Sequence, residues 1–332
     1  MKIFKTIVGI DVAKDTLAVS IYDGKIHIVK EFLYNKKTIS KELITKFKKD
    51  KESVVFVLEC TGTYHTNLAY QLYENGYKVS TLNPFIIKKY SEMKMMRVKT
   101  DSADAKLIAE YGFEYKHKLE FFKPKSDAVM HVDNLIKAID DLSHQKTISK
   151  NQRHALSKQA HHSKDILNSY DRHIKFIITE IKQLNKQLLD LLKREFQNEY
   201  DLLTSIPGVS VKVASLVIST FNSFQDFQTA KQACSFAGIC PSPYQSGTSV
   251  RGKGSISKRG SSFARKILYM GALSATKYNP LIKKQYQRLV ENGKPKMQAI
   301  VAAANKLLRQ TFGVLKSKKA YDESYICVRN LS

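Results

Sequence analysis

TIVGIDVAKDTLAVSIYDG, residues 6–24, decides the fold. TIVGI is a short β-branched run of the kind that makes a buried strand, and it ends on a carboxylate, Asp11. LAVSIYDGKIHIVKEF follows and reads as two strands joined at Asp23-Gly24, a dipeptide suited to hairpin turns because it tolerates positive φ. A strand and a hairpin therefore open the chain.

Further along, SVVFVLE (53–59) is another buried-type strand, ending on Glu59. Thr61-Gly62 opens a helix expected to run through LAYQLYENG and to stop at Gly76. YKVSTLNP is a further strand, closed by Pro84. In KTDSADAKLIAEYG two aspartates precede Ala105, Leu107, Ile108 and Ala109, a helical pattern that Gly112 is expected to end. Three strands, then helix, strand and helix, imply a mixed α/β sheet.

The middle of the chain changes character. Apolar or aromatic residues fall at Leu167, Tyr170, Ile174, Ile177, Ile181, Leu184, Leu188 and Leu191, alternately three and four apart. That is a heptad seam. A weaker one precedes it at Val132, Leu135, Ile139 and Leu142, and the polar, basic SKNQRHALSKQAHHSK lies between. The pattern fits an antiparallel helical hairpin or a dimer coil, and equally an amphipathic helix in a bundle. Near Tyr200 the chain changes again. SIPGVSVKVASLVIST places a Pro-Gly turn at Gly208 between apolar stretches, the shape of a helix-hairpin-helix whose turn amides can hold a phosphate. A plain helix–turn–helix corner has the same outline.

The formal net charge is +25 over 332 residues, with a pI near 9.7, which predicts a polyanionic partner. An apolar fraction of 43% is enough for a real core, so the chain is not disordered. No apolar run approaches the roughly 18–20 residues that span a bilayer. MKIFKTIVGID reaches an acid too soon for a signal peptide. Cys60, Cys234, Cys240 and Cys327 form no CxxC pair, against both a zinc site and a disulfide scaffold. A cytoplasmic nucleic-acid-binding protein is expected, with no membrane partner. The charge is uneven: between Asp226 and Glu291 there is no carboxylate and there are eleven Lys or Arg. One-signed charge over such a length suits a surface that follows a phosphate backbone.

Against that background four acids stand out. Asp11 and Glu59 end strands, and Asp101 and Asp104 lie three apart at a helix start, on one face. Converging carboxylates repel unless cations neutralise them, and oxygen-only ligands suit Mg²⁺ or Mn²⁺. Two such ions can stabilise the attacking and leaving oxygens of a phosphodiester displacement. Each Asp at a helix start also serves as an ordinary cap. The order strand-Asp, hairpin, strand-Glu, strand, helix-Asp-x-x-Asp is the one a ribonuclease-H-like fold uses. Sugar kinases and actin-like ATPases share the opening strand and hairpin, but Asp11-Val12-Ala13 lacks their Asp-x-Gly and no Gly-rich phosphate loop follows.

The acid-free stretch CPSPYQSGTSVRGKGSISKRGSSFARK, residues 240–266, carries Ser242, Ser246, Ser249, Ser255, Ser257, Ser261 and Ser262, and nothing in the residues alone singles one out. Taken with GIDVAKDTLAVSIYDG, LECTGTYH, LNPFIIKKYSE, VKTDSADAKLIAEY, SIPGVSVKVASLVI and NKLLRQTFGVLKS, it resembles the insertion-sequence transposases with an N-terminal RuvC-like DEDD domain and a C-terminal serine transposase domain, recombinases guided by a bridge RNA from the element itself. The motifs run in the family's order over nearly the whole chain. The resemblance implies an α/β + α chain in three parts: a RNase-H/RuvC-like mixed sheet (1–125), a helical coiled-coil connector (126–198) and a mainly helical transposase domain (199–332). It assigns the DEDD acids to Asp11, Glu59, Asp101 and Asp104, as metal ligands and catalytic residues.

It also assigns the catalytic serine to Ser246, which is followed by Gly247 and lies ahead of Ser257, Lys258, Gly260 and Arg265. Arg251, Lys253, Lys258, Arg259 and Arg265 are then expected at DNA phosphates, with Gly208 at the helix-hairpin-helix turn. The implied partners are target and donor DNA, the guide RNA, Mg²⁺ or Mn²⁺, and further copies of the chain as a dimer or tetramer in a prokaryotic nucleoid. Cys60 departs from the pattern, where a small residue such as Ala is expected. Two other classes compete: a RuvC-like metal-dependent nuclease, or junction resolvase, in which Ser246 is only structural, and a non-enzymatic basic scaffold whose acids are caps.

Overall fold

The computed structural model describes residues 4–60, 64–96, 100–161, 163–242, 245–246, 250–251, 255–257 and 259–324. The chain divides into two compact units, Met1–Pro124 and Lys125–Ser332.

The first unit is built on a five-stranded sheet. Its strands are β1 (Thr6–Val12), β2 (Thr16–Tyr22), β3 (His27–Leu33), β4 (Val54–Glu59) and β5 (Lys78–Leu82), in the order β3-β2-β1-β4-β5. β1, β2 and β3 are antiparallel neighbours, whereas β4 and β5 run parallel to β1. This is the mixed sheet expected of a ribonuclease-H-like fold. The hairpin turns where expected: Gly24 has φ +97°, and Asp23 Oδ1 accepts hydrogen bonds from the Lys25 and Ile26 amides.

Side chains alternate between the two faces of the sheet. Val8, Ile10, Phe56 and Leu58 face one apolar cluster, completed by Leu68 and Leu72 of helix α2 (Tyr64–Glu74). Ile39 and Leu43 join it from a short helix α1 (Lys36–Thr38) that runs on as a π-helical stretch, Ile39–Thr45. Ile7, Val55 and Val57 face the other cluster, with Ile87 and Tyr90 of α3 (Pro84–Met93) and Leu107 and Ile108 of α4 (Asp101–Glu114).

Three readings change. Pro84 closes β5 but also opens α3, where Asn83 caps the Phe85 amide. The helical stretch 36–45 carries no long apolar period and escaped sequence reading. Gly112 does not end α4 but lies inside it: a Cβ there would stand 2.8 Å from Ile7 Cγ2 and 2.9 Å from Val57 Cγ2. The glycine is needed for close helix–sheet approach rather than termination.

The second unit is helical. Two long helices, α5 (Asp127–Ser157) and α6 (Lys164–Glu195), are joined by residues 158–163 into a hairpin, with Arg153 bridging to Asp171 across it. Every residue of the α6 seam from Leu167 to Leu191 is buried or half-buried, and Ile139, Leu188 and Leu191 enter one shared apolar cluster. That cluster extends through α7 (Gln197–Thr204), α8 (Val211–Ser219), α9 (Ala230–Ala237), α10 (Ser262–Tyr278), α11 (Pro280–Glu291) and α12 (Lys296–Ser317). Among the described residues no helix is long and apolar enough to cross a membrane.

Candidate active site

Strand register sets the acidic edge of the first unit. Ile10 of β1 lies beside Leu58 of β4, so Asp11 and Glu59 stand next to each other at the C-terminal ends of two parallel strands. Asp11 shares the face of Ile7 and Gly9, and Glu59 that of Val55 and Val57, which is the face covered by α4.

Glycine fixes where α4 lies. A Cβ on Gly9 would stand 2.4 Å from the Ala109 nitrogen and 2.5 Å from the Ala105 oxygen, so strand and helix backbones are in contact there. Gly112 lies over Ile7. Helix numbers thus fall as strand numbers rise. Four strand residues beyond Ile7 advance about 13 Å, and eight helix residues before Gly112 about 12 Å, so Asp104 comes level with Asp11.

The cap of α4 answers another question. Thr100, not an aspartate, is the N-cap: its Oγ1 accepts from the Ala103 amide at 3.2 Å, and its carbonyl from the Asp104 amide at 2.9 Å. Asp101 and Asp104 occupy the first turn, where they complement the helix dipole without closing the cap. Asp101 is exposed; Asp11, Glu59 and Asp104 are half-buried.

The donor chemistry of this edge, oxygen only, fits a hard divalent cation. The spacing is looser: among the described residues no three acidic, histidine or cysteine side chains close into a metal-holding group. Cys60 is not drawn into one. Burial pushes its thiol above the usual cysteine range, with Thr81 hydrogen-bonded to it.

The second unit carries its own candidate element, the acid-free segment. Two short antiparallel pairs nest within it: β6 (Pro241–Ser242) with β9 (Ser255–Ile256), and β7 (Gln245–Ser246) with β8 (Val250–Arg251). Ser246 pairs with Val250 in the inner rung, and Gln245 with Arg251. The base of the arch is tied down. The Ser257 amide donates to the Cys240 carbonyl at 3.1 Å, and Arg265 Nη1 donates to the Gly260 carbonyl at 2.6 Å and the Ala237 carbonyl at 3.4 Å. Gly260 is pressed so hard against the end of α9 that a Cβ would meet the Phe236 oxygen at 2.0 Å. Arg265 therefore spends donors on the fold, whereas Arg259 is exposed. Lys253 and Lys258 lie outside the described residues.

Gly208 has φ +100°, and a Cβ there would stand 2.5 Å from Ala275 Cβ of α10. The turn is thus a tight packing corner. It also borders a cleft of about 360 Å³ with Ser210, Lys212 and Lys266, at the N-terminus of α8. Sequence reading passed over Gly9 and Thr100. A glycine inside a strand was the available signal for the first, since it marks a close backbone approach.

Residues 8–162 match a family model described as "Transposase", of the DEDD type of IS110 elements, and residues 200–287 match "Transposase IS116/IS110/IS902 family". The "Pilin gene-inverting protein" of Moraxella bovis is 30% identical over 326 residues, 96% of this chain and 98% of that protein. The chain belongs to the IS116/IS110/IS902 family of transposases. The homologous pilin gene-inverting protein of Moraxella lacunata is 29% identical over the same shares. The "Insertion element IS110 uncharacterized 43.6 kDa protein" of Streptomyces coelicolor (strain ATCC BAA-471 / A3(2) / M145) is 28% identical over 36% of this chain and 30% of that protein. A solved structure, "T. thermophilus RuvC in complex with Holliday junction substrate", aligns with 35% of this transposase and 99% of that chain, at 13% identity and a TM-score of 0.27. This transposase is thus an enzyme of DNA cleavage and joining.

Proposed function

We propose that this transposase cuts and rejoins DNA through a covalent bond between Ser246 and a DNA phosphate, helped by the acidic edge of the first unit. The supporting observation is the family relation over nearly the full length to proteins named for inverting a gene. Inversion needs paired breaks that are rejoined, and an enzyme that only hydrolyses DNA does not rejoin. A phosphoserine ester keeps the energy of the broken phosphodiester, so its reversal by a DNA hydroxyl needs no ATP.

A serine hydroxyl is a weak nucleophile and needs a base or metal to activate it. No carboxylate occurs in residues 240–266, so the activating group comes from elsewhere. Asp11, Glu59, Asp101 and Asp104 are the residues that would hold Mg²⁺ or Mn²⁺, which supplies charge neutralisation at a phosphate when bound. Arg251, Lys253, Lys258 and Arg259 would contact phosphates, a role that positions DNA without reading its sequence. The cleft at Gly208 would take a further backbone phosphate at the α8 amides. Choice of target and donor would then fall to pairing with a guide RNA carried by the element.

The test is a recombination assay with target and donor DNA, element RNA and Mg²⁺. Wild type gives joined product. Ser246→Ala and Asp11→Asn each abolish it, and so does omitting the RNA. Strand cleavage that survives Ser246→Ala but not Asp11→Asn would replace this reading with a metal-dependent nuclease.

A further inference from the structure

A cavity of about 240 Å³ lies at the β5 edge of the first unit. Ser80 and Leu82 of β5, Tyr111 and Tyr115 of α4, and Lys118 and Glu120 of the segment that follows all line it. Ser80 is fully buried, and its Oγ has no hydrogen-bond partner. Leaving a buried hydroxyl unpaired costs about 1–3 kcal/mol, so one that borders a cavity marks a place for a polar group. The two tyrosine rings are stacked, 4.7 Å between centroids at 26°. The Lys118 ammonium sits 5.7 Å from the Tyr115 ring centroid. The wall is held by backbone bonds: Ser80 pairs with Phe121, and the Phe122 amide donates to the Val79 carbonyl at 2.7 Å.

Size and placement narrow the ligand. Pockets for extended ligands run roughly 300–1,000 Å³, and this one is smaller, suited to a single flat ring system. Leu82, in its wall, is the register partner of Glu59, so the cavity stands one strand away from the acidic edge.

We propose that this cavity receives one unstacked base of a DNA single strand. Aromatic side chains, a hydrogen-bonding group and a nearby cation are the means by which proteins hold such bases. Glu120 supplies an acceptor for an exocyclic amine, and Ser80 Oγ supplies a donor and an acceptor. The base is therefore an amine-bearing one, cytosine, adenine or guanine rather than thymine. Lys118 serves the adjoining phosphate.

Because the assay is run in EDTA and follows one base, it is independent of both the serine and the metal readings. Full-length protein is titrated into a thymine oligodeoxynucleotide carrying a single 2-aminopurine, whose fluorescence falls when it stacks on a tyrosine. Wild type quenches the probe at least 3-fold beyond the free strand. Ser80→Val, which removes the orphan hydroxyl and keeps or raises Tm, loses most of that quench, as does Glu120→Ala at an exposed position. Equal quenching by wild type and both variants would overturn the proposal. Stronger quenching of the matching ribonucleotide strand would overturn its assignment to DNA.

Discussion

Gly9 lies directly beneath Ala109: a Cβ on the strand residue would stand 2.4 Å from the helix nitrogen. Backbone meets backbone at this point, so neither side has a side chain to rotate away. Gly9→Ala therefore lifts α4 and carries Asp101 and Asp104 with it. The expected cost is about 1–3 kcal/mol of stability, as for other overpacked sites. DNA cleavage should fall further than that loss explains, measured at a temperature where the variant is still folded. Wild-type Tm and wild-type cleavage together would contradict the packing.

Thr100→Ala tests the cap. Losing the Oγ1 acceptor should cost about 1 kcal/mol, while Thr100→Ser should retain most of it. Thermal melts of the three proteins decide the point. If the alanine variant is unchanged, one of the aspartates is capping after all.

Arg265→Ala should loosen the base of the serine-bearing arch. Its two carbonyl partners, Gly260 and Ala237, would lose a charged donor, at a cost of about 1.5–3 kcal/mol. Protease cutting within 240–260 should speed up, and cutting in the first unit should not. Arg265→Lys should rescue only in part, because a single ammonium does not copy the guanidinium fork.

His27 should make stability depend on pH. Its Nδ1 is 2.9 Å from Ser20 Oγ and its Nε2 is 3.3 Å from Glu110 Oε1 of α4. Burial pulls its pKa below the ordinary 6.5, with Glu110 and Asp23 opposing and Lys106 assisting. The unfolded chain thus binds the proton more readily than the folded one. Stability is full above about pH 6.5 and declines as pH falls below it. The Tm drop between pH 7.5 and 5.5 should shrink in His27→Gln. An equal drop in both proteins would assign the pH dependence elsewhere.

Much of the first unit was legible because local signals and tertiary need agree there. β-branched runs gave the strands, Asp23-Gly24 gave the hairpin, and the acids at element ends gave one edge of the sheet. Gly112 was misread for a physical reason. In sequence, a glycine that stops a helix looks the same as one that lets a helix lie on a sheet, and only Ile7 and Val57 beneath it tell them apart. α3 was missed because Pro84 reads as an end although it also suits the first turn of a helix. The choice of Ser246 rested on family resemblance alone, since no pattern separates one serine from six others in a basic, Gly-rich stretch. The cavity beside Ser80 was invisible, as its wall is drawn from β5, α4 and the segment after it.

The most direct test is covalent capture. Protein, element RNA, Mg²⁺ and end-labelled DNA are mixed, stopped in SDS, and the retained label is mapped by peptide mass spectrometry. The account predicts an SDS-resistant adduct on the peptide carrying Ser246, absent in Ser246→Ala and in Asp11→Asn. Cut DNA with no adduct, or an adduct that persists in Ser246→Ala, would contradict it.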